Sequence, residues 1–438
     1  MSSQELATNN NQLPEGYKKT EVGVIPEDWE CEHLRDKIVI THGFGFKSQY
    51  FCSQGLYWLT TPGNFYEDGG FREIGEKQKY YNGPLPDLYL LQHGDLIVAM
   101  TEQAEGLLGS AAIIPKSGTY LHNQRLGKIK PISLDIELVF LYYIFNSKKF
   151  RLKVRETAAG TKVKHTSPTK LLEIAIPLPP LPEQKAIAQT LSDVDALIAA
   201  LDKLIAKKRN IKTATMQQLL TGKTRLPGFG EGKGYKKTEV GVIPEDWKIC
   251  ILSELSQIVT GQTPPTHNRS YYGDEYLFVS PADIGSQKYI TNTFAKLSKL
   301  GFSISRKYPS KTILFTCIGS TIGKCAIVVT ESTSNQQINA ILPSNLVNHQ
   351  YLYYQLINNA KKIKNRAATQ AVPIINKTEF GSTFIVVCSD EEQKAIAQVL
   401  CDIDTEITAL EKRRAKTQAI KQGMMQELLT GKTRLINN

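Results

Sequence analysis

One string in the sequence resembles the end of a nucleotide-binding loop but lacks the residues that such a loop needs. Gly222-Lys223-Thr224 has the closing letters of a P-loop, yet the required glycine five positions earlier is replaced by Gln217. The second occurrence of the string is preceded by Gln426 in the same way. Both strings follow a predicted helix, whereas a P-loop follows a strand. Phosphate transfer at these positions is therefore excluded.

Other enzyme-like patterns are also incomplete. The string Gly319–Cys325 is one residue too short for a P-loop and has Cys where Ser or Thr would bind magnesium. Residues 229–232 (FGEG) resemble a glycine loop for S-adenosylmethionine but lie in a glycine-rich linker with no strand before them. The seven histidines form no HExxH pair. We therefore expect a chain without catalytic residues, metal or bound cofactor.

The remaining polar chemistry is suited to DNA. A basic strip, Lys148–Lys164, and a second one, 361–366, could neutralise phosphates. Asn123-Gln124-Arg125 and 335–337 (NQQ) carry the side chains that pair with base edges. The candidate DNA contacts are Lys47, Thr101, Gln103, Asn123, Gln124, Arg125, Lys153, Arg155, Thr161, Lys162 and Lys164, then Gln262, Thr263, Ser320, Thr321, Lys324, Asn335, Gln336, Gln337, Arg366, Thr369 and Gln370.

Composition agrees with an anionic partner. The 438 residues carry 53 Lys and Arg against 42 Asp and Glu, a net charge of +11. The first residues, without a basic start or an apolar core, are not expected to form a signal peptide. No apolar run in the sequence approaches the roughly 18 residues that span a membrane. The seven cysteines form no CxxC pair and are expected to be reduced thiols. These features predict a cytoplasmic protein.

The elements that position these residues come from a tandem repeat. Residues 16–29 (GYKKTEVGVIPEDW) recur without change at 234–247, after 218 positions. EQKAIAQ at 183–189 and LLTGKTRL at 219–226 both recur after 209 positions. Each middle segment contains short β-rich runs, such as 95–100, and an aromatic helix-like stretch, 140–150 or 351–363. The sequence therefore predicts two α+β units with shared frames and different interiors.

Each repeat closes on a long amphipathic helix. Apolar residues recur in steps of three and four, which predicts a coiled coil between the two helices. We expect PLPPLP to be an extended lead-in to the first helix, Ser389–Glu392 to form a capping box at the second, and Gly222 and Gly431 to form left-handed caps. The seam residues are Ile187, Leu191, Val194, Ile198, Leu201 and Ile205 in the first helix and Ile396, Leu400, Ile403, Ile407 and Leu410 in the second.

These strings closely resemble the specificity (S) subunit of type I restriction-modification enzymes. The resemblance rests on PLPPLPEQKAIAQTLSDVDALI, LLTGKTRL, the paired VIPEDW strings, Gly261–Pro264 and Ile318–Lys324, and it covers about 14 to 435. The first half departs from it, because Gly43–Phe46 stands where the second half has GQTP.

The resemblance implies two target-recognition domains, each reading one half of a split site in double-stranded DNA, and two antiparallel spacer helices that set the gap. It also implies two methyltransferase (M) subunits, on which S-adenosylmethionine is expected, and restriction (R) subunits, with all catalysis on those partners. The corresponding segments are a disordered arm (1–13), recognition domain 1 (14–180), spacer helix 1 (181–221), a linker (222–233), recognition domain 2 (234–389), spacer helix 2 (390–430) and a tail (431–438).

Two other hypotheses remain open at this point. A single chain could both read and modify DNA, although it lacks a cofactor loop. Alternatively, the chain could be a coiled-coil scaffold that does not touch DNA, with its charge serving solubility.

Overall fold

The computed structural model describes residues 13–85, 87–102, 104–116, 118–160, 163–285, 287–367 and 372–435. The chain divides into two compact units, and both boundaries fall inside long helices. Unit 1 comprises the chain up to Leu201 together with the chain from Arg413 onward, and unit 2 comprises Asp202–Lys412. The predicted arm, apart from residue 13, and the last three residues of the tail lie outside the described residues. So do the candidate contacts Gln103, Thr161, Lys162, Thr369 and Gln370.

Unit 1 begins with short strands and continues into helices. Its strands are β1 (Tyr17–Thr20), β2 (Gly23–Pro26), β3 (Glu30–His33), β4 (Ile38–His42), β5 (Phe51–Cys52), β6 (Tyr57–Thr60), β7 (Tyr80–Tyr81), β8 (Leu96–Ala99), β9 (Ala111–Ile113), β10 (Tyr120–His122), β11 (Leu126–Pro131) and β12 (Ala175–Leu178). Its helices are α1 (Leu138–Asn146), α2 (Lys148–Glu156), α3 (Pro168–Leu172) and the first part of α4 (Leu181–Leu219).

Two sheets of unit 1 pack face to face. One has the order β4-β11-β8-β9 and is antiparallel, and the other has the order β10-β6-β7-β5 with β10 parallel to β6. Because side chains alternate along a strand, the side chains of β8 contribute to two hydrophobic cores. Leu96 and Val98 join the core under α1, α2 and α4, whereas Ile97 and Ala99 join the core between the sheets. The apolar run of β8 thus follows from burial on both faces.

Unit 2 repeats this topology with a different sequence. Its strands are β13 (Tyr235–Thr238), β14 (Gly241–Pro244), β15 (Lys248–Ile251), β16 (Ile258–Thr260), β17 (Tyr272–Gly273), β18 (Tyr276–Val279), β19 (Tyr289–Ile290), β20 (Ala295–Leu297), β21 (Ile313–Thr316), β22 (Cys325–Val328), β23 (Thr333–Ser334), β24 (Ile338–Ile341) and β25 (Phe384–Val387). Its helices are α5 (Leu252–Leu255), α6 (Lys299–Ile304), α7 (His349–Arg366), α8 (Lys377–Gly381) and the first part of α9 (Asp390–Leu428).

The strand orders of the two units correspond. Sheet β16-β24-β21-β22-β19 matches β4-β11-β8-β9 with one added strand, and β17-β20-β18-β23 matches β5-β7-β6-β10, including the one parallel pair. The hairpins β1-β2 and β13-β14 and the ribbons β3-β12 and β15-β25 also correspond. The predicted α+β tandem repeat is therefore confirmed.

The starts of the long helices differ in part from the sequence prediction. Helix α4 begins at Leu181 and includes Pro182, because a proline is tolerated in a first turn, so the last two residues of PLPPLP are helical. At α9, Ser389 Oγ accepts a hydrogen bond from the Glu392 amide at 3.3 Å, as a cap would. The Glu392 carboxylate, however, binds Trp247 and Arg225 instead of completing a capping box.

Other helix predictions also need correction. The aromatic stretch of unit 1 is broken at Ser147, which caps α2 by accepting from the Phe150 amide at 3.3 Å. In unit 2 the equivalent stretch is the single helix α7.

The long helices run antiparallel within each unit. In unit 2, Lys208 pairs with Glu406 at 2.7 Å and Lys212 with Asp404 at 2.6 Å. The expected antiparallel course of the two helices is confirmed, but this register opposes Lys208 to Glu406 and Lys212 to Asp404. The seam Ile187–Ile205 therefore does not pair with the seam Ile396–Leu410 along its length, contrary to the sequence prediction. Ile187 and Leu191 instead pack in the core of unit 1 with Met425 and Leu428, and Ile396 and Leu400 pack in the core of unit 2. Of the remaining seam residues, Ile198, Leu201, Ile205 and Ile407 are buried, and Val194, Ile403 and Leu410 are half-buried.

Candidate nucleic-acid interface

The three repeated strings meet at one place in each unit. In unit 1, Trp29 Nε1 donates to the buried Glu183 carboxylate at 3.0 Å, and Arg434 donates to Glu183 at 2.8 Å and to Asp28 at 2.7 and 2.8 Å. Asp28 and Arg434 are 406 positions apart. Hydrogen bonds with Glu183 and Asp28 raise the pKa of the Arg434 guanidinium. The VIPEDW string of the first repeat is thus joined to the LLTGKTRL string of the second repeat.

Unit 2 contains the same cluster built from the other copies. Trp247 Nε1 donates to Glu392 at 3.0 Å, and Arg225 donates to Glu392 at 2.5 and 2.7 Å and to Asp246 at 3.0 Å. The hydrogen bond from Arg225 lowers the pKa of Asp246. Each carboxylate is almost fully buried, at 2% exposure for Glu183 and 1% for Glu392. A buried charge is stable only when it is paired, which explains why the Asp, Trp, Glu and Arg of this cluster are present in both copies.

The glycine of each LLTG string ends its long helix and packs against the proline of the adjoining VIPEDW string. Gly222 and Gly431 have φ of 70° and 71°, so the predicted left-handed caps are confirmed. A Cβ on Gly431 would lie 2.4 Å from the Pro26 ring, and one on Gly222 would lie 2.5 Å from the Pro244 ring. Any side chain at these positions would separate the helix end from the hairpin.

Four loops of unit 1 converge at one edge of the paired sheets. The Gln124 amide donates to Phe44 O at 3.1 Å, the Met100 amide donates to Arg125 O at 2.9 Å, and the Glu102 amide donates to Lys164 O at 2.9 Å. The segments 43–47, 101–102, 104–106, 123–125 and 163–166 are thereby held together. We call this set the recognition edge of unit 1.

The recognition edge of unit 2 consists of the equivalent segments 261–264, 318–324, 335–337 and 372–375. The Gln262 amide donates to Ser334 O at 2.8 Å, the Cys317 amide to Gln337 O at 2.8 Å, and the Gly319 amide to Pro373 O at 2.9 Å. The loops of both edges therefore carry most of the candidate DNA contacts that the sequence analysis identified.

Gly43 and Gly261 occupy the same place in the two edges. A Cβ on Gly43 would lie 2.2 Å from the Asn123 carbonyl oxygen, and one on Gly261 would lie 2.0 Å from the Asn335 carbonyl oxygen. The first unit thus keeps the packing of the GQTP glycine although it lacks the motif. The departure noted in the sequence does not alter the fold of this edge.

The candidate contacts divide by exposure. Asn123 and Asn335 use their Oδ1 atoms to accept from the amides of Arg125 and Gln337, both at 3.1 Å, so they shape the loops. Thr101 is only 9% exposed and its hydroxyl lies 3.2 Å from His165 Nδ1. The exposed candidates at the edges are Lys47, Gln124, Arg125, Lys164, Gln262, Ser320 and Gln336, while Thr263, Thr321, Lys324 and Gln337 are half-buried.

The basic strip of each unit lies on two helix faces. Arg155 Nη2 lies 3.6 Å from Glu102, and Lys364 Nζ donates to Ser320 O at 3.2 Å, so both face the recognition edges. Lys153 instead lines a groove beside the hairpin β1-β2. Arg366 donates to Glu379 O, Ser382 Oγ and Thr383 Oγ1 and lines the equivalent groove of unit 2. Residues two positions apart on a helix are separated by about 200°, so the basic residues of one helix point to more than one surface.

Two lysines that were not among the predicted contacts lie near Arg125. Lys77 and Lys79 line, with Gln124 and Arg125, a cavity of about 320 Å³ whose floor includes Phe46. Both lysines are exposed. Lys77 ends a short 3-10 turn, Gly75–Lys77, and Lys79 directly precedes β7, so no helix or strand period in the sequence links the two lysines.

The two grooves are equivalent surfaces. The groove of unit 1 has a volume of about 550 Å³, and that of unit 2 about 290 Å³. Val24 and Val242 of the identical hairpins are 42% and 59% exposed there. Lysines at the rim of the first groove are Lys148, Lys149, Lys153, Lys170 and Lys432.

Within the part of the chain that the structure describes, no group of three His, Cys, Asp or Glu side chains could hold a metal ion. No helix among these residues is long and apolar enough to cross a membrane. All seven cysteines are free.

Comparison with known proteins gives a consistent result. The family model for the type I restriction modification DNA specificity domain matches residues 26–209 and 244–422. A putative type I restriction enzyme MjaX specificity subunit from Methanocaldococcus jannaschii is 29% identical over 96% of this chain and 97% of its own length. The MjaVIII specificity subunit of the same organism is 28% identical over 97% of both chains.

A similar fold occurs in the crystal structure of the type I restriction-modification S subunit from M. genitalium. The TM-score is 0.56 at 16% identity, covering 91% of this chain and 96% of that one.

Proposed function

This chain belongs to the type I restriction-modification DNA specificity family, and from that premise we propose that each unit reads one half of a bipartite site in double-stranded DNA. The observation that carries the proposal is the pair of equivalent recognition edges. The edge of unit 1 exposes Lys47, Gln124, Arg125 and Lys164, and the edge of unit 2 exposes Gln262, Ser320 and Gln336. Such side chains suit both base edges and phosphates. The differing sequences of the two edges account for two different half-sites.

The long helices are proposed to set the gap between the half-sites. A helix of 39 residues, such as α4 or α9, extends roughly 58 Å at 1.5 Å per residue. Both helices contain the boundary between the units, so their length is the natural determinant of the spacing.

The catalytic chemistry is proposed to reside on partners. Two M subunits, each carrying S-adenosylmethionine, would dock on the repeated frames, and R subunits would join them in the restriction form. The identical hairpins support this arrangement. Packing explains why Ile25 and Trp29 recur, since both are buried. It does not explain why the exposed Glu21 and Val24 recur as Glu239 and Val242. A partner that binds the same surface of both hairpins would explain why these exposed residues recur.

Native mass spectrometry of the chain with its M subunit tests this proposal. We expect two M per chain for the wild type, one for Val24→Asp or Val242→Asp, and none for the double variant, because a carboxylate in either groove would be desolvated by the partner. The control is Leu134→Asp, at a side chain that is 98% exposed and outside both grooves, which should retain two M. A single M at saturation on the wild type, or two M on the double variant, would contradict the proposal.

A further inference from the structure

The loops 123–125 and 335–337 have the same backbone structure. In each, the Asn Oδ1 accepts from the amide two residues later at 3.1 Å. The amides of Leu126 and Ile338 donate to the Asn carbonyls at 3.0 and 3.2 Å. The carbonyls of Arg125 and Gln337 accept from Met100 and Cys317, the residues that follow β8 and β21. Positions 125 and 337 are therefore equivalent points of two equivalent frames.

The two loops differ in only one residue. Both begin Asn-Gln, and the third residue is Arg in unit 1 and Gln in unit 2. The Arg125 side chain is exposed, and among the described residues it has no side-chain hydrogen bond or ion pair. Gln337 is half-buried and its Oε1 accepts from Asn335 Nδ2 at 3.0 Å. The second lone pair of Oε1 and the side-chain amide nitrogen can still accept and donate. The frame is held constant while the functional group changes.

The chemistry of these two groups selects different bases. A guanidinium donates two hydrogen bonds to O6 and N7 of guanine, whereas a carboxamide donates to N7 and accepts from N6 of adenine. Lys77 and Lys79, which line the cavity beside Arg125, supply positive charge for the neighbouring phosphates.

We propose that positions 125 and 337 read the same place in the two half-sites, with Arg125 selecting guanine and Gln337 selecting adenine. This rests on the proposed function, since it assigns one letter within each half-site. It predicts that exchanging the side chains exchanges the letters. The remaining letters depend on residues that these two substitutions leave untouched.

The experiment uses the complex of the full chain with its M subunits, and sequencing that detects methylated adenines. Arg125→Gln should change a single letter of one half-site from guanine to adenine and leave the other half-site unchanged. Gln337→Arg should make the opposite change in the other half-site. Arg125→Lys keeps the charge but loses the paired donors, so it should relax the same letter. The control Arg35→Gln, at an exposed side chain paired with Glu173 on another face, should change nothing.

Duplex binding provides a second measurement if a variant methylates too slowly. The complex is titrated with duplexes that carry each of the four bases at each position of the first half-site. A preference that moves by roughly 10- to 100-fold from guanine to adenine at one position supports the proposal. Unchanged letters, or equal losses on all duplexes, overturn it. If the wild-type complex methylates no bipartite site, the proposed function fails as well, so the two failures are distinguishable.

Discussion

Buried polar residues under the recognition edges shape the loops that present the exposed ones. His122, which directly precedes Asn123, is 3% exposed, and its Nε2 lies 3.0 Å from the Leu126 carbonyl oxygen. Because the carbonyl can only accept, Nε2 carries a proton and donates to it. Burial lowers the pKa of His122 to about 4. Protonation of His122 is therefore expected to destabilise the folded loop.

The stability of unit 1 should depend on pH through His122. The folded pKa lies below the unfolded value of about 6.5, so the unfolded chain binds more protons between these values. The stabilisation is complete above pH 6.5 and is lost as the pH falls toward 4. We expect a loss of about 2 kcal/mol in the free energy of unfolding between pH 7 and pH 5 from this group. Denaturant unfolding of the wild type and of His122→Gln measures it.

The glutamine variant is the matched control, because its amide can still donate to Leu126 O but does not titrate. It should lose about 2 kcal/mol less than the wild type over the same pH range. Equal losses in both proteins would show that His122 is not buried in the neutral form.

At the scale of elements, the long helices contain partly buried ion pairs that the apolar seam did not reveal. Lys421 is 8% exposed and lies 2.6 Å from Asp195, which also accepts from Tyr143 at 2.8 Å. Lys212, Asp404 and Tyr354 repeat the arrangement in unit 2. A slip of either helix would leave these charges unpaired, so each trio favours one register.

Two glycines of the C-terminal segment should respond oppositely to the same substitution. Gly423 lies inside α9, and a Cβ added there would have no atom within 4 Å, so Gly423→Ala should stabilise the protein by up to about 1 kcal/mol. Gly431→Ala places a Cβ at positive φ and 2.4 Å from Pro26, and should destabilise unit 1 by more than about 1 kcal/mol. Thermal unfolding of both variants measures the difference. Similar shifts of the same sign would contradict the assigned cap.

At the scale of the whole molecule, each unit is completed by a segment from the far end of a long helix. Helix α4 begins in unit 1 and ends in unit 2, and α9 does the reverse. Each LLTGKTRL string therefore joins the VIPEDW string of the other repeat. Because of this exchange, unit 1 is completed by the second LLTGKTRL string. For the same reason, a change in the distance between the units requires the same change of length in both helices.

Insertion of one heptad after Leu201 and one after Lys412 tests the spacer role. Seven residues keep the apolar seam in phase and lengthen each helix by about 10 Å, or roughly three base pairs. The half-site letters should stay the same while the gap widens by up to about three base pairs, with DNA bending absorbing part of the strain. Sequencing of methylated sites provides the measurement.

The control insertion has two residues in each helix, which rotates the seam by about 200° and should abolish the ordered pairing. Altered half-site letters with an unchanged gap in the heptad variant would rule out the spacer role.

The sequence by itself determined the repeat, the α+β class, the long helices and the glycine caps, because these depend on local patterns. Identical strings, heptad steps and LLTG are visible without tertiary contacts. It also identified the segments that form the recognition edges, since amide and basic residues follow buried strands.

Only the tertiary structure decided which residues of those segments have side chains exposed and free to contact DNA. Asn123 and Thr101 are occupied in shaping loops, and Lys153 turns toward a groove, because burial and helix phase depend on neighbours distant in sequence. The joining of Asp28 to Arg434 was likewise hidden, since a contact across 406 positions has no local pattern. The antiparallel course of the two helices decides that contact, because it determines which copy of each string meets the other.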